Sequence, residues 1–238
     1  MILKLWREDA PLRWDGAHFG RSLERRVGLS HGVGQFAQPL QQPHPPIAMA
    51  MVGPGGRTAE TIAERGMIPI SANFVPIENV AAQWRDYALA REQAGQVADR
   101  HIWRVCRNIL VTETDEEGAE LLSDPDGVIA HYFRYIRGVR QIDEFQSLQD
   151  EPLPILNEFL EVPAALDDCA IVGSVDTVLA RLVDLVDQLG LFGTLVMVGH
   201  DWDESGLSQR SMGCLAEDIL PQLKQHVDSL GPERWIDS

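Results

Sequence analysis

The chain has 238 residues and a formal net charge of −16, with 45% hydrophobic and 24% charged residues, which is the composition of an ordinary globular protein with one domain as the default. The acidity argues against nucleic acid or an anionic membrane as the main partner, because binding phosphates needs clustered Lys and Arg. The three cysteines lack metal-ligand spacing, and no signal peptide or membrane-spanning apolar run is evident, so we expect a reducing cytoplasm.

The first 46 residues differ from the rest of the chain. Residues 2–6 have the pattern of the tail of an amphipathic helix, without a cap before them. Residues 11–46 are rich in Gly, Pro, His and Gln, too irregular for a helix and too long for a plain connection. We predict an irregular loop or hairpin excursion there.

Strand and helix signals alternate from residue 47 onwards. Four apolar runs predict strands, at residues 47–52, 67–74, 103–112 and 192–198. Helices are predicted at residues 58–65, 77–94, 115–122, 128–140, 177–189 and 210–227, with a proline-rich loop through Pro152, Pro154 and Pro163. This alternation predicts an α/β fold with a parallel sheet.

The most informative segment is residues 172–202. Ser174 is placed to cap a helix whose apolar positions form one broad stripe, and Gly190 supplies a left-handed stop. The unalternating strand that follows is typical of a strand buried on both faces of a parallel sheet. We therefore expect functional groups just past its carboxyl end, at His200 and Asp201.

Each polar group at a strand end has a structural alternative. His200 is suited to act as acid, base or hydrogen-bond donor, or it packs against Trp202 while Asp201 caps the next turn. Asn73 and Phe74 either line a pocket or close a loop.

Other local patterns have structural interpretations. Thr112 and Thr114 form the cap of the next helix, and residues 131–135 form a helix face. No histidine pair has zinc-helix spacing, so no metal site is predicted, and no nucleophile elbow or P-loop supports a hydrolase or nucleotide triphosphatase.

A glycine-rich loop, Gly53-Pro54-Gly55-Gly56-Arg57-Thr58, follows the first predicted strand and opens a helix. Its amides are suited to cradle a phosphate at the helix N-terminus, with Arg57 adding charge. A tight βα turn is the simpler interpretation of this loop by itself, and Arg57 is equally consistent with a solvated surface charge.

Several stretches together resemble the bacterial luciferase-like monooxygenase family, particularly its limonene-monooxygenase-type branch. They are residues 2–6, 40–47, 63–66, 171–178, 192–194, 199–202 and 210–212. Family members are flavin-dependent TIM (β/α)8 barrels, and the resemblance implies approximately the C-terminal half of such a barrel, beginning near the end of its fourth helix. Residues 1–238 would form a single luciferase-like domain, with the helix end and excursion at 1–46 and the βα units at 47–238.

The resemblance implies reduced FMN as cofactor, with a deazaflavin as the alternative, and insertion of one oxygen atom from O2 into a small organic substrate. A flavin reductase would be a partner. Cofactor contact is carried over to Gly53, Pro54, Gly55, Gly56 and Thr58. No catalytic residue is assigned beyond the candidate His200. The alternative function is a non-catalytic flavin-binding or interaction module.

A half barrel has consequences for association. It leaves two strand edges and an apolar inner face open. Either the excursion at residues 11–46 or a second copy of the chain covers this face, or the sequence is a truncated form of a full barrel enzyme. We expect the chain to form homo-oligomers.

Overall fold

The computed structural model describes residues 2–8, 12–16, 20–23, 39–53, 56–140, 162–200 and 206–236. The chain divides into two compact units, residues 1–47 and residues 48–238. The assignment of the whole chain to a single domain stays a prediction. No helix in the described ranges is long and apolar enough to cross a membrane.

The first unit contains a short helix and a hairpin. Helix α1 spans Ile2–Arg7, which confirms the predicted helix tail. Strands β1 (Leu12–Asp15) and β2 (Gly20–Leu23) pair antiparallel, with Leu12 opposite Leu23. Of the two predictions for residues 11–46, loop or hairpin, the hairpin is present at its start, and most of the remainder to residue 38 lies outside the described residues.

The second unit alternates strands and helices, which confirms the α/β class. Its strands are β3 (Ala48–Met51), β4 (Ile68–Ser71), β5 (Arg104–Val111), β6 (Ala170–Gly173) and β7 (Thr194–Val198). Its helices are α2 (Arg57–Glu64), α3 (Ile77–Gln93), α4 (Asp115–Ser123), α5 (Val128–Arg140), α6 (Val162–Cys169), α7 (Val175–Leu189), α8 (Leu207–Cys214) and α9 (Leu220–Ser229), with a π-helical turn at Leu215–Ile219 joining the last two.

The five strands form one parallel sheet. Strand β4 pairs with β3 along its whole length and with the first residues of β5. The first five residues of β5 pair with β7, and its last four pair with β6. Asn108 belongs to both registers, opposite Val198 and opposite Ala170. The longest strand therefore organises the sheet, and Asn108 lies where its partners change.

The prediction of four strands was wrong by one, because β6 was missed. This strand has only four residues, all buried, and Ser174, the N-cap of α7, follows it directly. A four-residue apolar run directly before a helix N-cap cannot be distinguished from the start of that helix by the sequence pattern alone.

Pro163 was also misplaced, since it lies in the first turn of α6 and not in a loop. A proline is tolerated there because the first helical N–H groups have no partner within the helix. Pro152 and Pro154 lie outside the described residues.

Strand β7 is less buried than its sequence predicts. All five of its residues are only half-buried. In the described part of the chain β7 pairs with β5 alone. An apolar composition indicates that a strand is suited to burial on both faces. How much of the strand is buried depends on which strands and helices pack against it.

The predicted caps of α7 are confirmed. The Ser174 side chain accepts a hydrogen bond from the Thr177 amide, and Gly190 ends the helix with φ of 76°. Asp115, in the first turn of α4, accepts from the Ser174 amide at 2.7 Å and from the Thr177 hydroxyl at 2.9 Å. These bonds, the Ser174 amide first, lower the pKa of Asp115. The carboxylate joins α4 to α7.

The main core lies between the sheet and helices α2, α3, α7 and α9. Trp84 and Trp103 stack with ring centroids 4.8 Å apart, and the Trp103 indole N–H donates to the buried Ser71 hydroxyl at 3.0 Å. A second apolar cluster joins α5, α6 and β6. Buried polar side chains lie in or just after the strands, among them Asn73, Asn108 and Thr112.

Candidate functional site

The carboxyl ends of β3, β4, β5 and β7 lie at the same edge of the sheet, because these strands are parallel. Open α/β sheets and barrels use this edge for binding and catalysis. The polar group carried by each connection there is therefore a candidate.

Asn108 is the centre of a buried polar cluster. Its side-chain Nδ2 donates to the backbone oxygens of Asn73 at 3.1 Å and of Cys169 at 2.8 Å. Its Oδ1 accepts from Asn73 Nδ2 at 2.6 Å. Asn108 thus connects β5 with Asn73, two residues past the end of β4, and with the end of α6.

His200 and Tyr132 complete this polar cluster. His200 Nε2 lies 2.8 Å from Asn108 Oδ1, and the Tyr132 hydroxyl donates to Asn73 Oδ1 at 3.1 Å. The two rings are in contact, with centroids 4.3 Å apart. Burial lowers the pKa of His200 and raises the pKa of Tyr132, so burial favours the neutral form of both groups.

A cavity of about 350 Å³ lies beside the polar cluster. Asn108 and His200 line it together with Ser208 and Ser211, and the remaining lining is mainly apolar. The apolar part consists of Ile109, Leu110, Leu121, Val128, Ile129, Met197, Val198, Leu207 and Met212. A mainly apolar cavity with a small number of polar groups is the usual form of a small-molecule site.

The glycine-rich loop lies at the same edge, and helix α3 holds it. Gln83 Nε2 donates to the backbone oxygens of Met51 and Gly53, and the Gly56 amide donates to Asp86 Oδ2 at 2.7 Å. Gly56 has φ of 72°, a conformation that favours glycine. The Gly56 amide already has an anionic acceptor.

The other residues predicted for this loop are placed as follows. Thr58 is half-buried in the first turn of α2 and Arg57 is exposed. Pro54 and Gly55 lie outside the described residues. The cofactor assignment of Gly53, Pro54, Gly55, Gly56 and Thr58 therefore stays a prediction.

The structure brings together some of the predicted strand-end residues. Asn73 and His200 meet through Asn108, whereas Phe74 packs against the apolar clusters. The Thr114 hydroxyl caps α4, as predicted. Asp201 and Trp202 lie outside the described residues, so the proposed contact of His200 with Trp202 is not tested.

Two members of the polar cluster were not predicted from the sequence pattern. Tyr132 has the pattern of a helix face, and Asn108 lies inside an apolar strand. A polar residue within a buried strand is the signal that identifies Asn108, because a buried amide needs several hydrogen-bond partners.

Arg107, next to Asn108, is fully buried. Its Nη1 donates to the Cys106 backbone oxygen at 3.0 Å, while Nε and Nη2 have no partner among the described residues. Burial lowers the pKa of Arg107, and burial raises the pKa of the nearby Cys169 thiol to about 12. Cys169 therefore favours the neutral thiol and is a poor anionic partner for Arg107.

No family model matches the chain. The chain is 25% identical over 232 residues to a 3,6-diketocamphane 1,6-monooxygenase of Pseudomonas putida, an alignment that covers 92% of this chain and 59% of the relative. It is also 25% identical over 172 residues to a 4-hydroxyprotoasukamycin monooxygenase of Streptomyces nodosus subsp. asukaensis, covering 69% of this chain and 43% of the relative. The homologues are luciferase-like monooxygenases.

Solved structures show the same fold. The oxygenating constituent of the 3,6-diketocamphane monooxygenase of Pseudomonas putida, in complex with FMN, superimposes with a TM-score of 0.62 at 23% identity, covering 92% of this chain and 59% of that chain. A monooxygenase from Streptomyces bottropensis gives a TM-score of 0.58 at 21% identity, covering 93% and 58%. The fold is thus that of luciferase-like proteins.

The chain spans about three-fifths of the length of the first relative. No closed barrel is present among the described residues, where β3 to β7 form an open five-stranded sheet. The limonene-monooxygenase branch and the assignment to the C-terminal half of a barrel stay predictions.

Proposed function

We propose that the protein is an FMN-dependent monooxygenase that uses reduced flavin to insert one oxygen atom from O2 into a small organic substrate. The observation that carries the proposal is the mainly apolar cavity at the carboxyl edge of the sheet, beside the Asn108 and His200 cluster. The monooxygenase homologues, one of them solved with FMN, support it.

The chemistry of the cavity fits an aromatic cofactor or an apolar substrate. Its volume of about 350 Å³ falls in the range of small-molecule sites, roughly 300 to 1,000 Å³. Met197, Val198 and Met212 offer the soft apolar surface that a flat ring system needs. Bound there, a reduced flavin would supply the activation of O2 and the transfer of one oxygen atom.

The chain's own residues would then bind and orient the flavin and the substrate, and they would exclude water. The apolar lining keeps water from the reacting atoms. Asn108 Oδ1 lies 2.8 Å from His200 Nε2, and His200, which lines the cavity, would form a hydrogen bond with the bound molecule through its other ring nitrogen. His200 is the candidate catalytic residue, and the proposal needs no metal.

The phosphate of FMN is proposed to lie at the loop that contains Gly53, Gly56 and Thr58, with Pro54 and Gly55 between them. The Gly56 amide donates to the Asp86 carboxylate, which shows that this N–H is oriented toward an anionic acceptor. Asp86 would therefore compete with the phosphate both for the hydrogen bond and through its charge.

Replacing Asp86 with asparagine tests this phosphate site. Because the carboxylate charge is removed, we expect FMN to bind about five- to tenfold more tightly, as fits like charges in a partly solvated site. Flavin fluorescence quenching measures the affinity. Riboflavin lacks the phosphate, so its affinity should stay the same in Asp86→Asn.

A matched control is Glu92→Gln, which removes an exposed charge six residues further along α3. It should leave both affinities unchanged. FMN that binds equally well to the wild type and to Asp86→Asn would show that the loop is only a βα turn. The proposed cofactor assignment of the loop would then be wrong.

The second candidate is a non-catalytic flavin-binding or interaction module. The observation in its favour is the open sheet, because Ala48, Met49 and Ala50 of β3 are exposed and β7 is half-buried. Turnover separates the two candidates: a module binds flavin without oxygenating any substrate. A flavin reductase partner, self-association, a deazaflavin in place of FMN and a cytoplasmic location are proposals that accompany the first candidate.

A further inference from the structure

The hydrogen bonds of Asn108 fix the orientation of its amide. Nδ2 lies near two backbone carbonyl oxygens, those of Asn73 and Cys169, which only a donor satisfies. A flipped amide would turn its oxygen toward both carbonyls. Oδ1 therefore faces Asn73 Nδ2 and His200 Nε2, and both of these nitrogens must donate.

The orientation of Asn108 determines the tautomer of His200. Because Nε2 carries the hydrogen that Asn108 Oδ1 accepts, Nδ1 of the neutral imidazole holds a lone pair. Nδ1 has no hydrogen-bond partner among the described residues, and His200 lines the cavity. Nδ1 is thus the ring nitrogen left for a bound molecule, and it is an acceptor.

The groups around His200 also favour neutral forms. The Tyr132 hydroxyl gives its hydrogen to Asn73 Oδ1, and burial raises the pKa of Tyr132, as it does for the Cys106 and Cys169 thiols nearby. The described lining of the cavity contains no Lys, Arg, Asp or Glu. The described lining therefore offers no opposite charge to an ionised ligand.

We propose that Asn108 is a positioning residue that holds His200 as the Nε2–H tautomer, and that the cavity selects an uncharged, largely apolar molecule whose hydroxyl or N–H donates to His200 Nδ1. A carboxylate has no hydrogen to donate and would lose its hydration in this lining. This inference rests on the ligand site of the proposed function but not on its oxygen chemistry.

The tautomer is tested first, on the full chain without flavin. In ¹⁵N-histidine NMR at neutral pH we expect the His200 signals to show a protonated Nε2 and an unprotonated Nδ1, with His200→Ala providing the assignment. His226, which contacts the exposed Asp187, serves as a reference ring on another face. A His200 that is protonated at Nδ1, or at both nitrogens, would overturn the proposal.

Ligand selection is tested with phenol, anisole and benzoate, which share one ring and differ in the donor and the charge. We expect phenol to bind about three- to tenfold more tightly than anisole, as fits one neutral hydrogen bond, and benzoate to bind least. His200→Ala should remove the preference for phenol, whereas His226→Ala should keep it. Isothermal titration calorimetry measures these affinities.

Equal affinities for phenol and anisole, tighter binding of benzoate, or no binding of any probe would each overturn the proposal. Its failure is distinct from that of the proposed function, because no probe is a flavin. A chain that prefers phenol but does not bind FMN keeps this inference and loses the proposed function. A chain that binds FMN without selecting phenol gives the reverse outcome.

Discussion

Gly193→Ala is expected to lower the free energy of unfolding by about 3 kcal/mol or more, because the added methyl group has no room. A Cβ at this position would lie 1.7 Å from the backbone oxygen of His101 and 2.3 Å from its carbonyl carbon. The Gly193 amide also donates to the Arg100 oxygen at 2.9 Å, so the two segments are held together. The atoms in the way belong to the backbone of His101, which moves less easily than the end of a flexible side chain, so the overlap is not readily relieved.

Urea denaturation of Gly193→Ala measures this effect, and Gly213→Ala is the matched control. Gly213 lies inside α8, and a Cβ added there would meet nothing within 4 Å, so alanine should be neutral or stabilise by up to about 1 kcal/mol. A Gly193→Ala variant as stable as Gly213→Ala would contradict the close approach of the residue before β7 to the turn at Arg100–Ile102.

Asn108→Leu is expected to lower the free energy of unfolding by about 3 to 5 kcal/mol and to abolish the binding of phenol. Leucine has a similar size, but it leaves the Asn73 and Cys169 backbone oxygens without a donor and the His200 ring without an acceptor. Each buried group left unsatisfied costs about 1 to 3 kcal/mol, and neighbouring losses are not additive.

The neighbouring substitution Ile109→Val is the control, since it removes one buried methyl group from the same strand and should cost about 0.5 to 1.5 kcal/mol. Chemical denaturation is measured on both variants, and phenol titration on Asn108→Leu and the wild type. If Asn108→Leu is no less stable than Ile109→Val, the polar cluster does not hold the strand ends together as described.

Local sequence patterns predicted much of the fold. The cap at Ser174, the stop at Gly190 and the apolar stripe between them placed α7 to within two residues at its start. The apolar run of β5 was equally clear, with the observed strand one residue shorter at each end. Such signals are local, since neighbouring residues in the chain produce them.

The polar cluster could not be predicted from local sequence patterns, because its members lie far apart in the chain. Asn108 and His200 are 92 positions apart, and Asn73 and Tyr132 are 59 apart. Their contacts depend on how β5 pairs with β7 and on where α5 packs, and neither is visible in the order of residues. His200 was predicted as a candidate from its position after a strand, but its partners were not.

The glycine-rich loop gives a second example. Its sequence indicates amides suited to a phosphate, which is a local property of a turn before a helix. The carboxylate of Asp86, which accepts from the Gly56 amide, is 30 positions away. The hydrogen bond between the Gly56 amide and the Asp86 carboxylate therefore became visible only in the structure.

The central claim is that FMN binds at the carboxyl edge of the sheet. The most direct test is a titration of the ¹⁵N-labelled chain with FMN, followed by amide and side-chain NMR shifts. We predict that the largest shifts occur at Gly53, Gly56, the Asn108 side chain and His200, while the Gly190 and Gly231 amides stay unchanged. The claim would be contradicted if saturating FMN left the site signals unshifted, or if it shifted the Gly190 and Gly231 amides most.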